Sequence, residues 1–354
     1  MDWKAYAAPI KDEHTKQGFH GRFGAGLPRV SDGSFLFLQH MLSHMKPTGS
    51  RVGIVLSGSP LFSGQAGSGE SEIRRWILEN DWLEGIVALP DQMFYNTGIS
   101  TYVWILTNDK ADQDRGTVKL IDGRDLGTKM RKSLGDKRKQ LTPAAIDEIA
   151  RLYGGARDEY ADDTRVKVLT NEAFGFQRIT VERPMRRRWE VTVEAVADEP
   201  YAAYAGLVGQ RFETEKALLG EVAELTTPQK KAFAKACALA DPEAPIVTGR
   251  GGKVEPDPDL RDQENVPLPA GWLDLGEEAR EKALVQTAQA HLEKEIHPYV
   301  PDAWIDHTKT KVGFEIPFTR QFYVYTPPRP VEEIAKEIKD VESQIQTWMS
   351  GLGL

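Results

Sequence analysis

The sequence predicts an α/β fold that contains one half of an open sheet. Residues 52–56, 82–89 and 101–106 are short apolar runs rich in β-branched residues, a pattern typical of strands buried on both faces. A helical pattern separates the first two runs, whereas only the eleven residues 90–100 separate the second from the third. Because a parallel crossover needs a dozen or more residues, we expect the second and third strands to be antiparallel neighbours.

Helices are predicted before the first strand and between the first two strands. Apolar residues recur at helical spacing over residues 34–46, up to Pro47, and again over residues 71–80. Residues 118–122 add a fourth strand, whereas residues 1–33 are glycine-rich, show no period and are predicted to be an irregular loop. Open sheets usually contain about six strands. We therefore expect the first half of this sheet to be missing from the chain.

The composition changes towards the middle of the chain. We expect residues 128–141 to be a flexible basic linker, followed by a helix with Thr142 as its cap and Pro143 in its first turn. Residues 165–183 alternate as extended chain, and the Pro- and Gly-rich residues 241–271 predict a mobile surface loop. The predicted domains are a partial α/β domain at 1–127, the linker, a mainly helical domain at 142–326 with helices at 203–240 and 275–296, and a terminal helical segment at 327–354.

The terminal segment has the most regular apolar pattern in the chain. Its apolar residues are spaced 3, 4, 3, 4 and 3 apart, and we call them the heptad seam: Val331, Ile334, Ile338, Val341, Ile345 and Trp348. A narrow seam of this kind suits packing against one or two helices. We favour helices of a partner protein, and the alternative is packing within the chain's own domain.

Composition and charge exclude several classes of protein. The chain has 354 residues with 45 Lys and Arg against 53 Asp and Glu, a net charge of −8, so contact with a nucleic acid would need a local basic patch. The single cysteine, Cys237, can form neither an internal disulfide nor a four-cysteine zinc site, and it favours a reducing compartment. No apolar run approaches the roughly 20 residues of a membrane span. We expect a cytoplasmic protein.

Two motifs invite a functional interpretation that the sequence does not support. The loop Gly64–Gly69 precedes a helix and could cradle a phosphate, but it lacks a following Lys-Ser/Thr, so a surface turn with Ser71 as the helix cap is favoured. His40 and His44 have the spacing of metal ligands, but no third ligand is near, and we expect no metal. Hydrolase motifs that would supply a nucleophile are absent from the sequence.

The loop of residues 89–99 is the strongest candidate site. It joins two predicted strands at the sheet edge where open α/β folds bind ligands. It presents Phe94 and Tyr95 side by side, followed by Asn96 and Thr97. Aromatic rings stack on nucleobases and amides read base edges. The alternative is a packing loop in which Phe94 covers the end of the sheet, and the residues alone do not decide between the two.

Several segments, in order along nearly the whole chain, resemble those of one known family. They are Ser31-Asp32-Gly33-Ser34-Phe35, Val52-Gly53-Ile54-Val55-Leu56, Phe94-Tyr95-Asn96-Thr97-Gly98-Ile99, Phe174-Gly175-Phe176, Ile179-Thr180-Val181-Glu182-Arg183-Pro184, Asp302-Ala303-Trp304-Ile305 and Pro327-Pro328-Arg329-Pro330. They closely resemble the modification (methyltransferase) subunit of type I restriction–modification systems. The resemblance implies a Rossmann-like N6-adenine DNA methyltransferase that uses S-adenosylmethionine.

The family's catalytic motif does not occur in this sequence. In the family, the side-chain and backbone oxygens of an Asn/Asp-Pro-Pro-Tyr/Phe motif accept the adenine N6 hydrogens while its aromatic ring stacks on the flipped base. This sequence has neither that motif nor a glycine-rich cofactor loop after a strand. The segment that resembles Asp2-Trp3-Lys4 directly follows the motif in the family. We therefore expect the catalytic residues upstream of Met1, and no methylation by the lone chain.

The resemblance assigns a role to only a few residues. It places Phe94 against the extruded adenine, with Tyr95 and Asn96 as neighbours. It matches the heptad seam to the region that docks on the specificity subunit. It implies DNA, a specificity subunit, a second methyltransferase subunit and a restriction subunit as partners. The alternative function is a non-enzymatic module for assembly and DNA binding.

A cluster of arginines is a further candidate for contact with DNA. These side chains could bind phosphates, and an unliganded charged surface is the alternative. The residues are Arg183, Arg186, Arg187 and Arg188.

Overall fold

The computed structural model describes residues 2–155, 159–160, 162–325 and 327–351, which form two compact units, Met1–Ile316 and Pro317–Leu354. The first part of the first unit alternates helices and strands. In chain order they are α1 (Ala7–Gln17), α2 (Ser34–Leu42), β1 (Arg51–Ser57), α3 (Ser59–Phe62), α4 (Gly69–Glu79), β2 (Leu83–Ala88), β3 (Thr101–Thr107), β4 (Thr117–Asp122), β5 (Thr128–Leu134), β6 (Lys137–Gln140), α5 (Pro143–Gly154) and β7 (Val166–Thr170).

A five-stranded sheet in the order β1-β3-β2-β4-β7 lies at the centre of this part. Strand β3 is antiparallel to both β1 and β2, which confirms the prediction made from the short loop between the second and third strands. Strand β2 is parallel to β4, and β7 is antiparallel to β4. Strands β1, β2 and β4 therefore point in the same direction, and the loops that follow them leave at one edge of the sheet.

Helices cover both faces of the sheet. On one face the Trp104 ring of β3 meets the Phe35 ring of α2 edge to face, with 6.0 Å between ring centroids. On the other face Val103 and Ile105 pack against a buried cluster that includes Leu152 of α5. Because successive side chains of a strand point to opposite faces, one strand supplies both cores. The fold is thus mixed α/β, as the apolar runs predicted.

Helix α4 is tied to distant parts of the chain by a buried cation. The Arg74 guanidinium donates hydrogen bonds to the carbonyl oxygens of Phe314 (2.6 Å), Pro60 (2.9 Å) and Ser63 (2.7 Å). The side chain is almost fully buried, and burial lowers the pKa of Arg74 to about 10. Three carbonyl dipoles thus solvate the charge in place of water.

The cap of α4 differs from the prediction. Ser68, rather than Ser71, accepts the capping hydrogen bond, from the Ser71 N–H at 3.4 Å. Ser71 lies within the helix, is buried, and accepts a hydrogen bond from the Phe314 N–H at 2.9 Å. Ser68 and Ser71 are both suitable N-cap residues, so the sequence alone does not show which of them caps the helix.

The rest of the first unit mixes helices and short strands. Strand β8 lies at the centre of a four-stranded sheet and pairs with β12, β13 and β14. A further sheet has the order β10-β9-β11. The elements are β8 (Gly175–Glu182), β9 (Arg187–Glu190), β10 (Arg211–Phe212), α6 (Glu215–Glu221), α7 (Thr227–Cys237), β11 (Ala238–Ala240), β12 (Asp262–Pro267), α8 (Glu277–His291), β13 (Trp304–Ile305) and β14 (Lys311–Phe314).

The prediction of a mainly helical region at 142–326 therefore needs correction, because strands β7 to β14 alternate there with the helices. These strands are mostly two to six residues long, too short for a clear period of two. Part of the predicted mobile loop, residues 262–267, is strand β12, paired along its length with β8. A strand with mostly exposed polar side chains carries no apolar signal.

Two further predictions also differ from the structure. Residues 1–33 contain the helix α1, which the sequence did not reveal because none of its residues is buried and it has no apolar stripe. The predicted flexible linker at 128–141 forms the antiparallel hairpin of β5 and β6. The sequence signal for it was the Gly135-Asp136 pair between two short runs, a typical two-residue hairpin turn.

The second unit contains α9 (Phe318–Gln321) and the long helix α10 (Val331–Gly351). Helix α10 confirms the predicted terminal helix. All six side chains of the heptad seam are exposed.

Candidate nucleic-acid interface

The loop that follows β2 leaves the sheet at the edge shared by the carboxyl ends of β1, β2 and β4. Ligands bind at this edge in open α/β folds. Residues 123–127 follow β4 at the same edge, and the Gly123 N–H donates to the Ala88 carbonyl oxygen at 3.0 Å. The two loops are therefore adjacent at the end of the sheet.

The loop folds back on itself into a narrow tip. Phe94 and Thr97 form an isolated antiparallel bridge, and the Gln92 N–H donates to the Gly98 carbonyl oxygen at 3.2 Å. Gln92 has φ +58°, in the left-handed region that non-glycine residues rarely adopt. A strained residue of this kind persists only where its surroundings hold it, and such residues cluster at ligand-binding sites.

The tip presents two of the predicted base contacts to solvent. Tyr95 is 64% exposed and Asn96 is exposed, whereas Phe94 is half-buried. The three predicted residues are consecutive, and they lie together at the end of the sheet. Both interpretations of Phe94, as a base contact and as a packing residue, fit a half-buried ring.

The β5–β6 hairpin braces this loop. The Asp136 N–H donates to the Tyr95 carbonyl oxygen at 3.0 Å, and the Arg138 and Lys139 N–H groups donate to the Gln92 carbonyl oxygen at 2.9 and 3.1 Å. The Lys139 ammonium also forms an ion pair with a carboxylate of the loop, that of Asp91. The loop and the hairpin thus support each other, in a region where the sequence had predicted a flexible linker.

A glycine in the hairpin turn makes this close approach possible. Gly135 has φ +62°, and a Cβ atom at this position would lie 2.5 Å from the Tyr95 carbonyl oxygen. Non-bonded atoms do not approach so closely, so only glycine fits against the loop without displacement. Gly135 therefore allows both the tight hairpin turn and the close approach of Tyr95.

Two acidic groups at this edge, Asp122 and Asp91, are engaged by cations. Asp122, at the end of β4, is bound by the Arg124 guanidinium at 2.6 and 2.7 Å. Burial opposes ionisation of Asp122, but hydrogen bonds from Arg124 outweigh burial and lower the pKa of this carboxyl. Asp91 is paired with Lys139. Cations thus engage these two carboxylates at the end of the sheet.

The predicted phosphate-binding arginines lie elsewhere. Arg187 and Arg188 lie in β9 of the three-stranded sheet, Arg186 directly precedes that strand, and Arg183 directly follows β8. Arg186 pairs with Asp302 at 2.9 Å, and Arg188 pairs with Asp241 at 3.4 Å. Two of the four charges are thus compensated by carboxylates, which leaves Arg183 and Arg187 as the stronger phosphate candidates.

The glycine loop before α4 is closely packed. A Cβ atom at Gly69 would lie 1.9 Å from the Leu27 carbonyl oxygen, and one at Gly64 would lie 2.3 Å from the Ser68 hydroxyl. Protein atoms therefore occupy the positions that a side chain would take at these two residues. Both glycines serve close packing of the loop against its neighbours.

The two histidines and the single cysteine lie in surroundings that show packing roles. The rings of His40 and His44 contact each other at 4.6 Å, and in the part of the chain that the structure describes no group of three His, Cys, Asp or Glu side chains could hold a metal ion. Cys237 lies in the core formed by α6, α7 and β9, and burial raises the pKa of its thiol to about 11. The thiol is therefore protonated near neutral pH and is not an activated nucleophile.

The structure describes no helix that is long and apolar enough to cross a membrane.

The fold and this edge define an α/β protein whose candidate site is an aromatic loop at the carboxyl ends of its strands. Residues 3–174 match the family model described as N-6 DNA Methylase. The resemblance inferred from the sequence motifs is confirmed.

Curated relatives are methylase subunits of type I restriction enzymes. The chain is 36% identical over 131 residues to the HindI methylase subunit of Haemophilus influenzae, a match that covers 37% of this chain and 27% of the relative. It is 30% identical over 136 residues to the MjaIX methylase subunit of Methanocaldococcus jannaschii, covering 38% of this chain and 23% of the relative. The matched part of the chain thus spans about a quarter of the length of these relatives.

A solved structure with a similar chain is the type I restriction–modification methyltransferase subunit of Streptococcus thermophilus. It is 25% identical, with a TM-score of 0.39, and the match covers 49% of this chain and 33% of that chain.

Proposed function

We propose that this chain is part of an adenine-N6 DNA methyltransferase of a type I restriction–modification system. The observation that carries the proposal is the match of residues 3–174 to the N-6 DNA methylase family, together with an aromatic loop at the binding edge of its sheet. The methyltransferase part would be a Rossmann-like half-sheet within residues 1–127. The substrate would be DNA, and the methyl donor S-adenosylmethionine.

The unpaired edge of β1 supports the proposal that this sheet is one half of a larger one. This strand lies at the edge of the sheet, and no strand of the described residues pairs with its other side. Its apolar run predicted burial on both faces, yet Val55 is 48% exposed. An unpaired edge with an exposed apolar side chain is a surface that proteins usually cover. Further strands of the same sheet would cover it.

In the proposed function, the loop holds a base that has left the duplex. Phe94 packs against the adenine, and its half-buried ring is already anchored, so that little side-chain entropy is lost on binding. Tyr95 and Asn96 lie beside it, at a tip that the hairpin holds in place. Stacking of a base on an aromatic ring contributes about 1–3 kcal/mol.

We further propose that this chain alone does not methylate DNA. Two observations support this: the sequence contains no Asn/Asp-Pro-Pro-Tyr/Phe motif, and Glu70 and Ser71, rather than Lys-Ser/Thr, follow the loop Gly64–Gly69. When bound, S-adenosylmethionine supplies an activated methyl group. We place its binding residues and the catalytic motif outside this sequence.

The proposal is tested by methyl transfer from labelled S-adenosylmethionine to DNA. We expect no transfer by the chain alone. We expect transfer when the reading frame is extended upstream to an Asn-Pro-Pro-Tyr-type motif and expressed with a specificity subunit. In that assembly Phe94→Ala should lower transfer by about 5-fold to 150-fold, the factor that corresponds to the loss of about 1–3 kcal/mol of stacking.

Tyr299→Ala is a matched control, because this ring is 84% exposed and lies outside the five-stranded sheet. Transfer by the extended assembly that is equal for wild type and Phe94→Ala would contradict the role of Phe94. An upstream frame without the motif would contradict the proposed enzyme.

A second function, assembly with a specificity subunit, is favoured by the exposed heptad seam. Exposed apolar side chains at alternating spacings of 3 and 4 along α10 form the surface that a coiled-coil partner needs. The proposed complex also includes DNA, a second methyltransferase subunit and a restriction subunit.

The assembly proposal is tested by co-purification of the chain with a specificity subunit. We expect Ile338→Asp with Ile345→Asp to abolish capture. The matched control is Lys336→Asp with Ser343→Asp, which adds two carboxylates on the opposite side of the same helix. Equal capture of both variants would mean that the seam does not bind this partner.

A further inference from the structure

The hairpin of β5 and β6 concentrates positive charge in an acidic protein. Residues 128–140 contain six Lys and Arg against one Asp, a net charge of +5, whereas the whole chain carries −8. Four of the basic side chains are exposed: Lys129, Arg131, Lys132 and Arg138. We call these four the basic patch. A local patch of this kind is what an acidic chain needs in order to attract a polyanion.

The basic patch lies beside the aromatic loop. The hairpin donates three backbone hydrogen bonds to the loop, from Asp136 of its turn and from Arg138 and Lys139 of β6. The Lys137 ammonium is 5.4 Å from the centroid of the exposed Tyr95 ring. Ammonium groups and an exposed aromatic ring therefore face solvent on one rigidly joined surface, a combination typical of nucleic-acid-binding grooves.

The pairing of the two strands places like charges against each other. Lys129 lies directly opposite Lys139 in the hairpin register. Like charges at opposed positions destabilise a pair of strands. The Asp91 carboxylate compensates Lys139, but no ion pair in the described part of the chain compensates Lys129, Arg131 or Lys132. Bound anions would relieve this repulsion.

We propose that the basic patch binds the phosphate backbone of duplex DNA next to the base that the aromatic loop receives. The inference rests on the proposed function for its partner, DNA, and goes beyond it in assigning these residues. Phosphate contacts fix the register of a protein on its duplex, and they carry no sequence information. The patch would thus position the loop over the duplex whatever the sequence bound.

The first test compares two triple variants of the full chain by fluorescence anisotropy with a labelled duplex. The test variant is Lys129→Gln, Arg131→Gln and Lys132→Gln. The control, Lys216→Gln, Lys231→Gln and Lys235→Gln, removes the same charge from exposed positions on α6 and α7. We expect the test variant to bind on the order of tenfold more weakly and its log affinity to depend on log salt with a slope shallower by about 2 to 3.

The second test needs no substitution and so does not depend on the folding of a variant. Lysines of the wild-type chain are acetylated with and without DNA and mapped by mass spectrometry. We expect DNA to protect Lys129 and Lys132 and to leave Lys231 and Lys235 reactive. The proposal is overturned if the wild-type chain binds no duplex at low salt, if the two triple variants share one salt slope, or if the hairpin lysines stay reactive.

These tests are separate from that of methyl transfer. If binding depends on the basic patch but the extended assembly transfers no methyl group, the proposed DNA-binding surface stands and the proposed enzyme is contradicted. If the triple variant changes neither methyl transfer nor DNA affinity, the proposed enzyme stands and the proposed role of the basic patch is contradicted.

Discussion

At the scale of single residues, Arg74 shows how one side chain can join three segments. From α4, its guanidinium donates to carbonyl oxygens of α3, of the residue that follows α3, and of β14. Each of these carbonyls is left with one fewer donor if the side chain is shortened or made apolar. A buried acceptor without a partner costs about 1–3 kcal/mol.

We therefore predict that Arg74→Met lowers the free energy of unfolding by about 3–5 kcal/mol. Arg115→Met is the control, because Arg115 is exposed and pairs with exposed Asp112, and its effect should stay within about 0.5 kcal/mol. Urea unfolding followed by circular dichroism measures both values. Similar losses in the two variants would show that Arg74 contributes no more than a surface charge.

A second residue-scale prediction concerns pH. The buried side chain of Glu182 is bound by Arg261 at 2.9 Å and Lys309 at 2.8 Å. Burial raises its pKa, but the hydrogen bonds from the two cations outweigh burial and hold the pKa below 4.5. A carboxyl with a depressed pKa stabilises the fold above its unfolded-state pKa, and that contribution is lost as pH falls through the folded-state value.

Glu182→Gln should therefore destabilise the protein at pH 7, and the difference from wild type should shrink as the pH falls below about 4. Thermal unfolding measured over a pH series tests this. A difference that stays constant from pH 7 to pH 3 would place its cause in packing rather than in charge.

At the scale of elements, the loop and the hairpin depend on one glycine. Gly135→Ala adds a Cβ atom 2.5 Å from the Tyr95 carbonyl oxygen at a residue with positive φ. We predict faster hydrogen exchange at the Arg138 and Lys139 amides, which donate to Gln92. Gly116→Ala is a matched control, since Gly116 has φ +70° but no neighbour within 4 Å of the added atom.

Both glycine variants should lose about 1 kcal/mol through backbone strain, but only Gly135→Ala should release the loop. Hydrogen exchange with mass spectrometry separates the two effects. Equal protection of the hairpin amides in both variants would show that the contact with Tyr95 does not hold the loop.

The elements also show which structures a sequence pattern can predict. Strands β1 to β4 were evident because short, continuous apolar runs between turn residues are typical of buried strands. Helix α1 and the β5–β6 hairpin were not, because α1 buries no residue and the hairpin is mostly charged. The tip with Phe94, Tyr95 and Asn96 was predictable from residue types, whereas its brace depends on backbone hydrogen bonds that leave no trace in composition.

At the scale of the whole molecule, the exposed heptad seam predicts that its residues contribute to assembly with a partner and not to the stability of this chain. The Ile338 and Ile345 side chains are exposed, whereas Ile73 of α4 is fully buried. Ile338→Asp should thus change the free energy of unfolding by less than about 0.5 kcal/mol, whereas Ile73→Asp should prevent stable folding. Thermal unfolding of the two variants provides the comparison, and a large loss in Ile338→Asp would instead indicate packing within the chain.

The reach of Arg74 along the chain has a consequence for synthesis. Its partner at the Phe314 carbonyl lies 240 residues later, and the bond between Ser71 and Phe314 spans 243 residues. At about 5–20 residues per second, a ribosome needs roughly 12 to 50 s to add that length. During this interval the guanidinium lacks one of its carbonyl partners. The buried cation of α4 therefore reaches its final environment only after Phe314 has been synthesised.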